Sequence, residues 1–217
     1  MARDADDTRR RLLAAAAAEF AQRGIAGARV DRIASAAGAN KALIYAYFGN
    51  KDQLFDAVFD ALVVSTVAEV PIDADDLPGY AGRLFDRNQT HPQALRLLLW
   101  HSLERGGMAA LPPAVAASNA DKAAAIAAAQ RAGQLPGRYS ADELLLLVVG
   151  LSLLGSAELA PVDGPEALAR RRHTVTDAVA RLVAHDGDRR PAGDDHPTGR
   201  GEAAGSQESA GGTGADR

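Results

Sequence analysis

Residues 30–51 read VDRIASAAGANKALIYAYFGNK, and the fold turns on this stretch. Val30, Ile33, Ala34 and Ala37 recur at i, i+3, i+4 and i+7, the spacing of one helical face. Gly38 follows where a helix closes on a left-handed residue, a conformation that costs glycine no Cβ clash. Asn40 stands where a side chain accepts from a backbone N–H two or three residues on, and it opens a second helix over residues 40–47. Ile44 and Phe48 give that helix an inner face and leave Lys41, Tyr45 and Tyr47 outside. A short helix anchored on one side, with a Lys/Tyr outer face, suits the DNA-reading half of a helix-turn-helix.

Charge points the same way. Residues 8–51 hold eight Lys/Arg against Glu19 and Asp31, a net of +6 in a chain of net charge −4. A basic block on an otherwise acidic protein is the footprint of a phosphate-binding module; the competing reading is a solvated basic surface. Arg9, Arg10 and Arg11 stand at the start of a helix, where positive charge opposes the helix dipole. A phosphate contact, or a basic arm ahead of the head, would compensate.

The remainder bounds the answer. The 217 residues are enough for one or two domains, and strand signals are nearly absent, so the expected fold class is all-α. The chain has no cysteine, which excludes disulfide and thiolate chemistry. No apolar run reaches the ~18 residues of a membrane-spanning helix. The segment LLAAAAAEF is broken by Glu19 and lacks a cleavage pattern, so it reads as a mature helix and the expected location is cytoplasmic.

In chain order, residues 1–7 are expected to be loose, 8–50 to form the helix-turn-helix head, and 51–70 to form a connecting helix. Residues 71–185 would make a larger helical domain for ligand binding and dimerisation, and 186–217 a disordered tail. Leu13, Ala16, Ala17 and Phe20 pattern the first helix, with Gly24 at its end. Asn50 with Gln53, and Ser140 with Glu143, are predicted capping boxes. PQALRLLLWHSLERG is apolar nearly all round and is expected at the centre of a bundle. ADELLLLVVGLSLLGSAEL reads as one helix up to Pro161, apolar on every side; with the last helix it forms the expected dimer interface, Gly150 and Gly155 allowing close approach. Burial within one subunit is the alternative.

The stretch RRRLLAAAAAEFAQRGIAGARVDRIASAAGANKALIYAYFGNKDQLFDAV resembles the head of the tetracycline-repressor (TetR) family of bacterial transcriptional regulators. The resemblance covers residues 8–60 and rests on Phe20 and Gly24, on Val-x-x-Ile-Ala, on the Ala-Gly turn and on Tyr-x-Tyr-Phe-x-Asn-Lys. It implies that Lys41, Ala42, Leu43, Tyr45 and Tyr47 face DNA and that Lys51 contacts a phosphate. Many relatives carry Thr in place of Leu43, which would offer apolar contact to a thymine methyl or pack against the head. Arg29 replaces a hydroxyl cap; it would meet a phosphate or lie free on the surface.

No paired acid/base, nucleophile or metal-ligand pattern emerges from the five histidines or elsewhere, so no cofactor or metal is implied and an enzyme is the least supported reading. Tyr80, Phe85, Trp100, His101 and Met108 are the candidate lining of a ligand pocket, each weighed against plain core. The expected function is a homodimeric repressor with two heads about 34–36 Å apart on a palindromic operator in double-stranded DNA, released by a small apolar or amphipathic effector. The alternative is a DNA-binding regulator whose C-terminal domain only dimerises or binds protein.

Overall fold

The computed structural model describes residues 2–105 and 113–185. Met108 and the expected tail lie outside the described residues. Nine α-helices occur among those described. Four build the head: α1 (Ala2–Gly27), α2 (Val30–Ala36), α3 (Lys41–Phe48) and the first half of α4 (Lys51–Glu69). The larger domain follows with α5 (Leu77–Thr90), α6 (Gln93–Glu104), α7 (Pro113–Arg131), α8 (Ala141–Ser152) and α9 (Pro165–Val183). None of them is long and apolar enough to cross a membrane.

Two apolar cores result. Leu12, Phe20, Ile33, Ile44, Leu54 and Phe55 are fully buried in the first, where Phe20 and Phe55 meet edge to face at 5.1 Å. Leu97 of α6 is buried in this same core, so the head closes only with help from the larger domain. The second core joins α5, α7, α8 and α9 around Tyr80, Phe85, Ile126, Val148 and Val179.

Several sequence expectations are corrected. The first helix begins at Ala2, so residues 2–7 are helical rather than loose. Gly24 does end the long helical run, as expected: at φ 71° and ψ −179° it is not helical, and a single turn to Gly27 follows it within α1. A Cβ on Gly24 would lie 2.3 Å from Glu104 Oε1 and 2.8 Å from the Trp100 ring. Helix α6 is not at the centre of a bundle: Leu103 is 77% exposed, while Leu97 and His101 are buried on the side that packs along α1 and sets His101 against Phe55 and Phe59 of α4. It lies along the head's α1. Helix α8 stops at Ser152 and passes into a short 3₁₀ turn, Leu153–Gly155, instead of continuing to Pro161. Gly155 serves packing inside the subunit, because a Cβ on it would lie 2.5 Å from the Phe85 carbonyl oxygen. The Ser140–Glu143 box is complete. At Asn50 only half forms: its side chain accepts from Gln53 N at 2.8 Å, while Asn50 N–H goes to the Phe48 carbonyl.

Candidate nucleic-acid interface and internal cavity

Local sequence sets the pose of α3. Gly38 takes φ 59°, and Ala39 N–H reaches back to the Ala34 carbonyl at 2.9 Å, closing α2. Asn40 is extended and its side chain accepts from Ala42 N at 2.9 Å, which starts α3. Ile44 is fully buried and Phe48 nearly so, which fixes the rotation of the helix about its axis. Lys41 and Ala42 are therefore exposed, as are Tyr45 at 46% and Leu43 and Tyr47 at 36% each. Leu43 lies at the surface with the tyrosines, not packed into the head.

Much of the basic block holds the head together. Arg11 Nη1 donates to the Ala37 carbonyl at 2.9 Å, tying α1 to the end of α2, and Arg9 lies over the Phe48 ring at 5.5 Å. Glu19 accepts from Arg32 Nε at 2.7 Å and from Arg29 N at 3.0 Å. Burial pushes the Glu19 carboxyl up, but the Arg32 and Arg29 hydrogen bonds and the nearby positive charges outweigh this and hold it below its usual value. Arg29 caps α2 without a side-chain bond and stays exposed, with Asp31 at 4.0 Å. Lys41 Nζ meets Asp31 Oδ1 at 2.8 Å; the hydrogen bond and attraction lower the carboxyl and raise the ammonium. Lys51 is half-buried and donates to the carbonyls of Ala26 and Ala28 at 3.2 and 3.3 Å. It fastens the turn between α1 and α2, so a phosphate at Lys51 would compete with that role.

Below the head, a cavity of about 160 Å³ opens between α4, α5, α6, α7 and α8. Of the four described residues expected to line a pocket, Tyr80 lines this one and Phe85, Trp100 and His101 do not. Phe85 is buried in the second core behind it, against Gly155. Trp100 and His101 face the head, because α6 turns that side toward α1 and α4: Trp100 Nε1 donates to the Ala21 carbonyl at 3.2 Å, and His101 stacks on Phe55 at 6.2 Å and meets Phe59 at 5.6 Å. The sequence reading missed Ser118 and Lys122, which line the cavity from α7. Their signal was present: they are polar residues one turn apart in an otherwise alanine-rich helix.

His101 makes the junction sensitive to acid. Burial, then the Arg105 guanidinium, lower its pKa, while Asp56 opposes them weakly. A base with a depressed folded pKa contributes nothing above its unfolded value of 6.5 and destabilises as the pH falls from there toward the folded value. Urea unfolding between pH 7.5 and 5.5 is expected to show stability falling with pH, and His101→Phe is expected to flatten that part of the slope.

A tripod of helices presenting an exposed Lys/Tyr face, joined to a hollow helical domain, defines a helix-turn-helix DNA-binding regulator. Residues 12–58 match the tetR family of bacterial regulatory proteins, and residues 76–181 match the tetracyclin repressor-like C-terminal domain. Over 153 residues the chain is 44% identical to the HTH-type transcriptional repressor SCO4008 of Streptomyces coelicolor, an alignment spanning 70% of this chain and 79% of that one. It is 30% identical over 149 residues to the HTH-type transcriptional repressor NicS of Pseudomonas putida, spanning 65% and 70%. Among solved structures, SCO4942 of Streptomyces coelicolor, assigned as a transcriptional regulator, superposes with a TM-score of 0.67 at 35% identity, over 81% of this chain and 97% of that one. The chain belongs to the TetR family of transcriptional regulators.

Proposed function

We propose that this regulator is a homodimeric repressor that places α3 of each subunit in a major groove of a palindromic operator and lets go when a small molecule occupies the cavity. The observation that carries the reading is the continuity of α4. Its Phe55 and Val58 belong to the head core, while its Phe59, Leu62 and Thr66 line the cavity. A ligand that prefers one position of α4 shifts the head by its differential affinity for the two positions, and by no more than that. The cavity also favours an effector over the alternative of a domain that only dimerises or binds protein.

Dimerisation has its own support. Helix α8 buries Leu144, Leu145 and Val148 inside the subunit yet leaves Leu146 72% exposed, with Leu147, Leu154 and an open Gly150 around the same outer side. An apolar face of this kind calls for a partner. The double substitution Leu146→Glu with Leu154→Glu is expected to convert a dimer into a monomer by sedimentation velocity. It should also weaken binding to a selected duplex by more than about 100-fold, because the two heads no longer act together. An unchanged dimer would place the interface elsewhere.

A further inference from the structure

The wall of the cavity is apolar over most of its extent, through Phe59, Leu84, Leu95 and Leu98. Neutral polar groups such as Asn88 and Asn119 also line it, but its charged side chains are of one sign. No carboxylate lines it among the described residues, whereas Arg87 and Lys122 do. Arg87 is committed: its Nε donates to Glu69 at 3.0 Å and its Nη2 to Ser65 at 3.0 Å. Lys122 is half-buried, and it shares a face of α7 with Ser118, one turn earlier. Tyr80 is completely buried, yet its hydroxyl finds no hydrogen-bond partner among the described residues, and the same holds for the buried Ser118 hydroxyl. Buried hydroxyls are almost always satisfied, so two unsatisfied ones in the wall of one cavity point to an acceptor brought from outside.

We propose that the cavity takes a small organic acid: a carboxylate that accepts from Tyr80, Ser118 and Lys122, carried on an apolar body of about one ring. The proposal rests on the effector reading above and adds the ligand's chemistry to it. The volume sets the size, since a cavity of about 150 Å³ holds a benzene ring. That limits the ligand to roughly ten non-hydrogen atoms. Burial pushes the Tyr80 phenol up to about 12, so it remains a donor at neutral pH. Burial likewise lowers the Lys122 ammonium, and an anion beside it would reverse that. A cationic ligand would meet two positive side chains and no acid in this wall.

The test uses the full chain and calorimetric titration with 4-methylbenzoate, its methyl ester and benzyltrimethylammonium. The acid is expected to bind at least tenfold tighter than either of the others. Lys122→Met should erase the difference between acid and ester, and Tyr80→Phe should weaken the acid by about tenfold or more. Without ligand, Tyr80→Phe should melt higher than the parent, because it deletes an unsatisfied hydroxyl and nothing else; this also keeps the variant interpretable as folded. Binding of the cation at least as tight as the acid, acid binding indifferent to both substitutions, or no binding below about 1 mM for benzoate, 4-methylbenzoate and hexanoate would each overturn the proposal. Release of a selected duplex is measured separately. Acid that binds as described but leaves DNA bound refutes the effector reading and not the ligand class; release by the cation, with no acid bound, does the reverse.

Discussion

Replacing Lys41 and Tyr45 together with alanine is expected to lower affinity for a duplex selected by this protein from a random pool by about 10²–10³-fold. The size follows from two lost contacts in each of two heads. Both side chains stand on the outer face of α3, while Ile44 and Phe48 keep the helix seated, so the fold has no reason to change. Lys41 gives up only its exposed pairing with Asp31. The melting temperature should stay within about 2 °C of the parent. The salt dependence should also become shallower, since fewer counterions are released on binding. Equal affinity in the double variant would place the reading surface somewhere other than α3.

Gly24→Ala is expected to be the most destabilising single substitution, at about 3–5 kcal/mol in urea unfolding. Two effects add. With φ 71° and ψ −179°, Gly24 occupies a region that is essentially glycine's alone. Its missing Cβ also leaves room for Glu104, whose carboxylate accepts from Ile25 N at 3.1 Å and Ala26 N at 2.7 Å, and for Trp100 lying across the break. These bonds satisfy the amides that the interruption of α1 exposes, and they come from α6, which also lines the cavity. Gly133 shares the positive φ, at 75°, but a Cβ added to it would meet nothing among the described residues within 4 Å. Gly133→Ala should cost only about 1–2 kcal/mol. Equal losses at both positions would contradict the larger penalty assigned to Gly24, where strain and the contact with α6 add.

The head was legible because its signals are local. Gly38, Asn40, Ile44 and Phe48 lie within eleven residues, and each acts on backbone or packing a turn away. The exposure of Lys41, Tyr45 and Tyr47 follows from that register alone. Where the reading went wrong, the deciding contact came from far along the chain. Trp100 and His101 looked like pocket residues because they sit in an apolar helix, but which side of α6 faces the head is set by α1 and by the aromatic side chains of α4. Gly155 looked like a dimer contact, and it is the Phe85 carbonyl, seventy positions earlier, that requires it to lack a side chain. Lys51 was expected to contact a phosphate, and nothing local signalled that it also donates to the carbonyls of Ala26 and Ala28, because these come to it only through the fold. Helix α8 ended early for a similar reason: Leu154 and its neighbours continue the apolar pattern, yet the chain must bend to bring Gly155 onto α5.

The most direct test of the account is chemical protection of guanine N7, which lies in the major groove, on the selected duplex with the full chain bound. Protection is expected in two clusters related by two-fold symmetry and separated by one helical turn or a whole multiple of it, and both should vanish with the Lys41→Ala, Tyr45→Ala double variant. Protection unchanged by that variant, or N7 positions left fully reactive under bound protein, would contradict the claim that α3 enters the major groove.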